Sequence, residues 1–137
     1  MRKDLGLAKS IAELENKDWV DGETTELVRK CTAYRRIPIG DLTVEQLRML
    51  IGQAIGLPFI MPLAINLLQD SVLAEGDLHE GDLLISVLRA NEYWVDNPTA
   101  KDLMKQLLRS KHDEVESLEE GSVKQGILRT IDDFENK

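Results

Sequence analysis

The sequence predicts an all-α fold: one domain over residues 1–137, a compact bundle of seven or eight helices around a central apolar helical hairpin. Three observations predict it. Apolar residues repeat at spacings of three and four in every apolar segment. Helix-start signals recur at Ser10, Thr43, Pro58, Asp82 and Asn97. No run alternates with period two for long enough to make a sheet. A chain of 137 residues that is 42% apolar suits a single domain with a real core.

In chain order, Ser10 caps a short helix with Glu13 closing a capping box, and Ile11 and Leu14 face inward. Residues 16–22 make a turn in which Trp19 plugs the edge of the core. Thr24 or Thr25 caps a helix carrying Leu27, Val28, Cys31 and Tyr34. The basic pair Arg35-Arg36 follows, expected to cap helix carbonyls or to pair with acids rather than to bind phosphate. The central hairpin spans Ile37 to Gln69. Thr43 and Gln46 form a capping box, with Leu42 and Leu47 spaced as a hydrophobic staple. Leu47, Leu50, Ile51, Ala54 and Ile55 share one face, and Gly56 ends the helix in a left-handed C′ position. Pro58 starts the second helix at N1, and Pro62 lies close enough to the first turn to be tolerated. That helix, to Gln69, is apolar nearly all round and belongs in a core, with Leu50, Ile51, Ile65 and Leu68 buried.

After the hairpin the composition changes. Between Asp70 and Pro98 the acids are Asp70, Glu75, Asp77, Glu80, Asp82, Glu92 and Asp96. Against them stands Arg89 alone, which leaves −6 of the net −8 on about a fifth of the chain. Glu-Gly-Asp-Leu is written twice here, at 75–78 and 80–83, with His79 between the copies. Asp82 is expected to cap a helix over Leu83 to Arg89 whose Leu84, Val87 and Leu88 face inward. Asn91 starts a turn bearing Tyr93 and Trp94, the latter an anchor whose indole N–H needs a partner if buried. Asn97-Pro98 starts a helix to Ser110 with a buried stripe of Leu103, Met104, Leu107 and Leu108. A charged stretch from Lys111 breaks at Gly121-Ser122. A final helix then carries Val123, Ile127, Ile131 and Phe134 on one face.

The residues bound the function mainly by exclusion. Net −8 argues against direct nucleic-acid binding, which needs basic surface to neutralise phosphates. The uncharged run Met49 to Gln69 is long enough for a membrane span, but Gly56-Leu57-Pro58 breaks it into two short helices. The N-terminus shows no apolar signal region, and the single Cys31 cannot form an internal disulfide, which together predict a cytoplasmic protein. Cys31 reads as a small core hydrophobe with no nearby His. Asp77, Glu80 and Asp82 lack the order of a calcium loop, so neither a metal nor a cofactor is expected. The segment Gly52 to Gly56 is no phosphate loop, because no strand precedes it and no Gly-Lys-Ser/Thr follows; its glycines are expected to allow close helix approach. No Gly-x-Ser-x-Gly elbow is present. These absences predict a protein that is not an enzyme. The acidic segment offers instead a negative surface for a basic partner.

Five stretches together resemble the immunity proteins of bacterial contact-dependent growth inhibition systems. They are SIAELE with the following Asp18-Trp19, ELVRKC, IPIGDLTVEQLRMLIGQAIGLPFIMPLAINLL, AEGDLHEGDLLISVL and YWVDNP. The resemblance covers about Ser10 to Leu108; the helical tail over 111–137 carries none of it. It implies a cytoplasmic protein that binds the toxic C-terminal domain of an effector delivered by neighbouring bacteria. Many such toxins are nucleases, often acting on tRNA. The expected toxin-binding residues are Asp70, Glu75, Asp77, Glu80, Asp82, Glu92 and Asp96. Glu75, Glu80, Glu92 and Asp96 are favoured among them, because Asp77 and Asp82 have a competing role as helix caps. Two other readings compete: a small-molecule-binding or enzymatic helical domain with an acidic pocket around Asp77, His79, Glu80 and Asp82, and an adaptor whose acidic face binds another basic protein.

Overall fold

A computed structural model describes residues 7–19 and 24–136. The predicted turn at 16–22 therefore lies partly outside the described residues, as does the stretch before Leu7. The described chain is all-α. Its helices are α1 (Ile11–Leu14), α2 (Glu26–Tyr34), α3 (Val44–Gly52), α4 (Leu57–Asp70), α5 (Asp82–Leu88), α6 (Asn91–Asp96), α7 (Pro98–Ser110), α8 (His112–Glu116) and α9 (Ser122–Glu135), with a 3-10 turn at Ile39–Asp41. The strand-like pairing among the described residues is one isolated bridge between Ser10 and Pro38.

The caps form where side-chain oxygens can reach free amides. Ser10 with Glu13 and Thr43 with Gln46 both close capping boxes. Thr25, rather than Thr24, accepts the Val28 N–H at 3.1 Å to start α2. The staple residues Leu42 and Leu47 are both buried. α1 is held against the chain after α2 by backbone bonds from Ala12 N to Arg35 O and from Ile39 N to Lys9 O, each 2.9 Å.

The hairpin differs from expectation at its corner. α3 ends at Gly52, and Ala54 takes the left-handed conformation at φ 58. Gly56 is left-handed too, at φ 65, but as the N-cap of α4. A Cβ at Gly56 would lie 2.7 Å from the Ile11 side chain, so close approach is required there; Gly52 faces open space and needs none. Pro58 follows Leu57 in the first turn of α4, and Pro62 forfeits only the bond to the Pro58 carbonyl.

Helix α5 is enclosed by α3, α4 and α9. Leu83, Leu84, Val87 and Leu88 fill the centre, meeting Leu47 and Leu50 of α3, Ile60, Met61 and Leu68 of α4 and Ile127 of α9 in one buried cluster. Cys31 lies in the same cluster, and desolvation raises its thiol pKa. Trp94 is buried, donates its Nε1–H to Val87 O at 2.9 Å and meets Tyr93 and Phe134 edge-on.

Several predicted stripes are rotated. Ile65 is only half-buried, whereas Leu50, Ile51 and Leu68 are buried. Leu103 is 60% exposed while Met104 and Leu108 are buried. Leu27, Val28 and Val123 are exposed, and α9 buries Lys124, Ile127, Thr130 and Phe134. Lys124 reaches the interior because its stem packs there while its ammonium donates to Glu116 O at 2.8 Å and to Glu120 at 2.7 Å.

Candidate functional site

The second Glu-Gly-Asp-Leu copy builds the seat on which the first is displayed. Asp82 was expected to cap α5, but its neighbour Gly81 is the N-cap, without a side-chain bond. The Asp82 carboxylate turns back and is buried. It accepts N–H bonds from Gly76 at 2.7 Å, Leu78 at 2.9 Å and His79 at 3.3 Å. Three amides in a preceding loop satisfy its oxygens better than one helix end would. Arg48 stands 3.8 Å from the same carboxylate and is bound by Glu45 at 2.7 Å and 2.5 Å. Glu45 also accepts the Asp77 N–H at 2.8 Å. Its hydrogen bonds to Arg48 are the main cause that lowers the Glu45 pKa, and the same pairing raises that of Arg48.

The two glycines of the repeat serve different ends. A Cβ on Gly76 would sit 2.6 Å from the Glu45 carboxylate and 3.1 Å from that of Asp82, so a side chain there would have to displace carboxylates already held by Arg48 and the loop amides. Gly81 has φ 80, and a Cβ there would lie 2.5 Å from the Ile127 side chain. The leucines diverge as well: Leu83 is wholly buried and Leu78 is 64% exposed.

Of the seven acids singled out from the sequence, six are exposed: Asp70, Glu75, Asp77, Glu80, Glu92 and Asp96. Asp82 is inside, committed to the loop. The exposed acids do not gather on one patch. Glu75 and Glu80 border a groove of about 480 Å³ between the loop and the start of α9, where Glu119 and Glu120 join them. Glu92 and Asp96 border a second groove of about 410 Å³, whose apolar wall includes Leu57 and Phe59 of α4 and Tyr93 of α6, and which Glu15 also lines. The two grooves share no lining residue. Glu15 is committed to Arg35, which is fully buried, donates to Lys17 O at 3.0 Å and carries Trp19 against its guanidinium. The expected pairing of the basic pair with acids is therefore present, with Arg36 on Asp18 at 3.1 Å. Asn97 is the N-cap of α7 with Pro98 as its first residue, as the sequence predicts, but its side chain makes no capping bond there; its Nδ2 donates instead to Tyr93 O at 2.9 Å, at the end of α6.

Asp77, His79, Glu80 and Asp82 do not converge on one cavity. His79 and Glu80 line the loop groove, while the Asp82 carboxylate lies beneath the loop. Among the described residues no three His, Cys, Asp or Glu side chains are placed to hold a metal ion. Among the described residues no helix is long and apolar enough to cross a membrane. Sequence reasoning missed Glu119 and Glu120 because they lie in the tail, 39 positions or more beyond Glu80, with only local charge to mark them.

A family model describing CDI immunity proteins matches residues 13–107. That stretch contains the seat formed by Glu45, Arg48 and Asp82 and ends before the second wall of the loop groove. Neither the curated proteins nor the solved structures give a match.

Proposed function

The chain belongs to the CDI immunity proteins, and from that membership we propose that it binds and neutralises the toxic C-terminal domain of a contact-dependent growth inhibition effector, acting by binding and not by catalysis. The toxin domain we infer is a basic nuclease with tRNA as its substrate class. The observation that carries this reading is the six exposed acids between Asp70 and Asp96 on a protein of net charge −8. A nuclease must present cationic surface to phosphates. An acidic protein meets that surface with complementary potential and competes with the substrate for it. The toxin acts in the cytoplasm, so its inhibitor is proposed to work there too.

The test is co-expression of the full chain with the C-terminal domain of the effector encoded beside its gene. The two should co-purify as a stable complex, and cells making the toxin domain should grow only when this chain is present. Growth arrest that the chain does not relieve, with no complex recovered, would overturn the assignment of that partner.

A further inference from the structure

We propose that the toxin docks in the groove between the Glu75–Glu80 loop and the start of α9, with Leu78 as the apolar anchor. The segment it brings is an arginine- or lysine-bearing one that presents an apolar side chain beside the cation. This rests on the immunity reading above and goes beyond it by naming the contact surface and the residue at its centre.

Leu78 is 64% exposed, yet its backbone is held firmly. Its N–H, with those of Gly76 and His79, is taken by the buried Asp82 carboxylate, and the Asp77 N–H is taken by Glu45. The Leu78 side chain contributes little to this seat. An apolar side chain held out on a pre-ordered loop loses little entropy on binding, which is the economy of a rigid anchor. Beside it the groove has apolar walls at Leu118 and Val123, and Val123 is itself 36% exposed.

The rim selects the occupant. Glu75, Glu80 and Glu119 border the groove and make no ion pair among the described residues, whereas Lys124 is spent on Glu116 and Glu120. A second copy of this chain would bring the same carboxylates, and another net −8, against that rim. A cationic partner is attracted to it instead. The groove beside α6 is the weaker candidate, since Glu15 in its wall is already held by Arg35. Val95, 78% exposed on α6, supplies the comparison.

Binding of the same C-terminal toxin domain to the full chain is measured by interferometry for the parent, Leu78→Ala, Leu78→Asp, Glu80→Lys and Val95→Asp. Leu78→Asp should raise Kd about tenfold or more, mainly through faster dissociation, with Leu78→Ala smaller in the same direction. Glu80→Lys should act chiefly on the association rate, and Val95→Asp should stay within about twofold of the parent. Thermal midpoints should match the parent, because both substituted apolar side chains are exposed. If the parent binds and the Leu78 variants bind equally well, or if Val95→Asp gives the larger loss, the groove is not the docking site while the immunity reading stands. If the parent sediments as a dimer that Leu78→Asp dissociates, the groove is a contact between copies and the proposal falls. If the parent binds no toxin domain, both readings fall together.

Discussion

The guanidinium of Arg35 lies 4.5 Å from the centre of the Trp19 ring, sealed from solvent, with Glu15 and the Lys17 carbonyl as its acceptors. Its Nε and Nη1 have no hydrogen-bond partner. The N-terminal turn is therefore tied to the end of α2 through this buried side chain, with Arg36 adding exposed contacts to Asp18 and the Trp19 carbonyl. Arg35→Ala should cost about 1.5–3 kcal/mol for the charge-assisted bonds alone. Arg35→Lys should recover only part of this, since an ammonium lacks the planar fork that reaches Glu15 while stacking on Trp19. Urea unfolding followed by tryptophan fluorescence measures both; a Lys variant as stable as the parent would contradict the stacking role.

Glu45 sets a pH dependence. Its folded pKa is lowered from 4.5, first by its hydrogen bonds to Arg48 and further by the Asp77 N–H. A lowered folded pKa means that the contribution is complete above the unfolded value and drains away as pH falls through the folded one. Stability should therefore rise with pH across the acid range and level off above about pH 5. Glu45→Gln should flatten part of that rise and loosen the 75–80 loop. Urea midpoints at several pH values, with amide exchange at Asp77, give the comparison.

The core makes graded demands. Leu50→Ala and Leu68→Ala, at fully buried positions, should each cost about 2–5 kcal/mol. Ile65→Ala should cost less because Ile65 is half-buried, and Leu103→Ala should change little. Equal losses at Leu68 and Leu103 would mean that α7 packs on another face.

Charge reversal addresses association. Changing Glu75, Glu80, Glu92 and Asp96 to Lys adds two charges at each site and takes the formal net charge from −8 to zero. All four are exposed, so the thermal midpoint should stay near the parent's. Toxin association should slow and its salt dependence weaken. Unchanged rates at two salt concentrations would place the interface away from both acidic grooves.

Local chemistry made much of the fold legible in the sequence. The boxes at Ser10 and Thr43 join residues three positions apart, and the indole of the buried Trp94 finds its acceptor seven positions back. What was not legible depends on distant partners. Asp82 looks like a cap until the loop amides and Arg48 are seen beside it. Lys124 looks like a surface cation until its carboxylates and carbonyl are placed, and the pairing of Arg35 with an acid was legible while its burial was not. Periodicity identifies a face but not its edges, so it put Leu103 and Val123 inside and left Thr130 out. The acidic segment was visible as composition. Its division into two grooves, and the contribution of Glu119 to one of them, required the path of α9.

Cys31 gives the chain a built-in clock. It is the single thiol, 1% exposed among core side chains, and burial holds it in its protonated, unreactive form. An alkylating reagent can reach it only through an opening large enough to breach the packing around α2. The labelling rate therefore counts those openings. A bound toxin that favours the closed state should lengthen the interval between them, so the strength of protection can be timed without a reporter added to either protein.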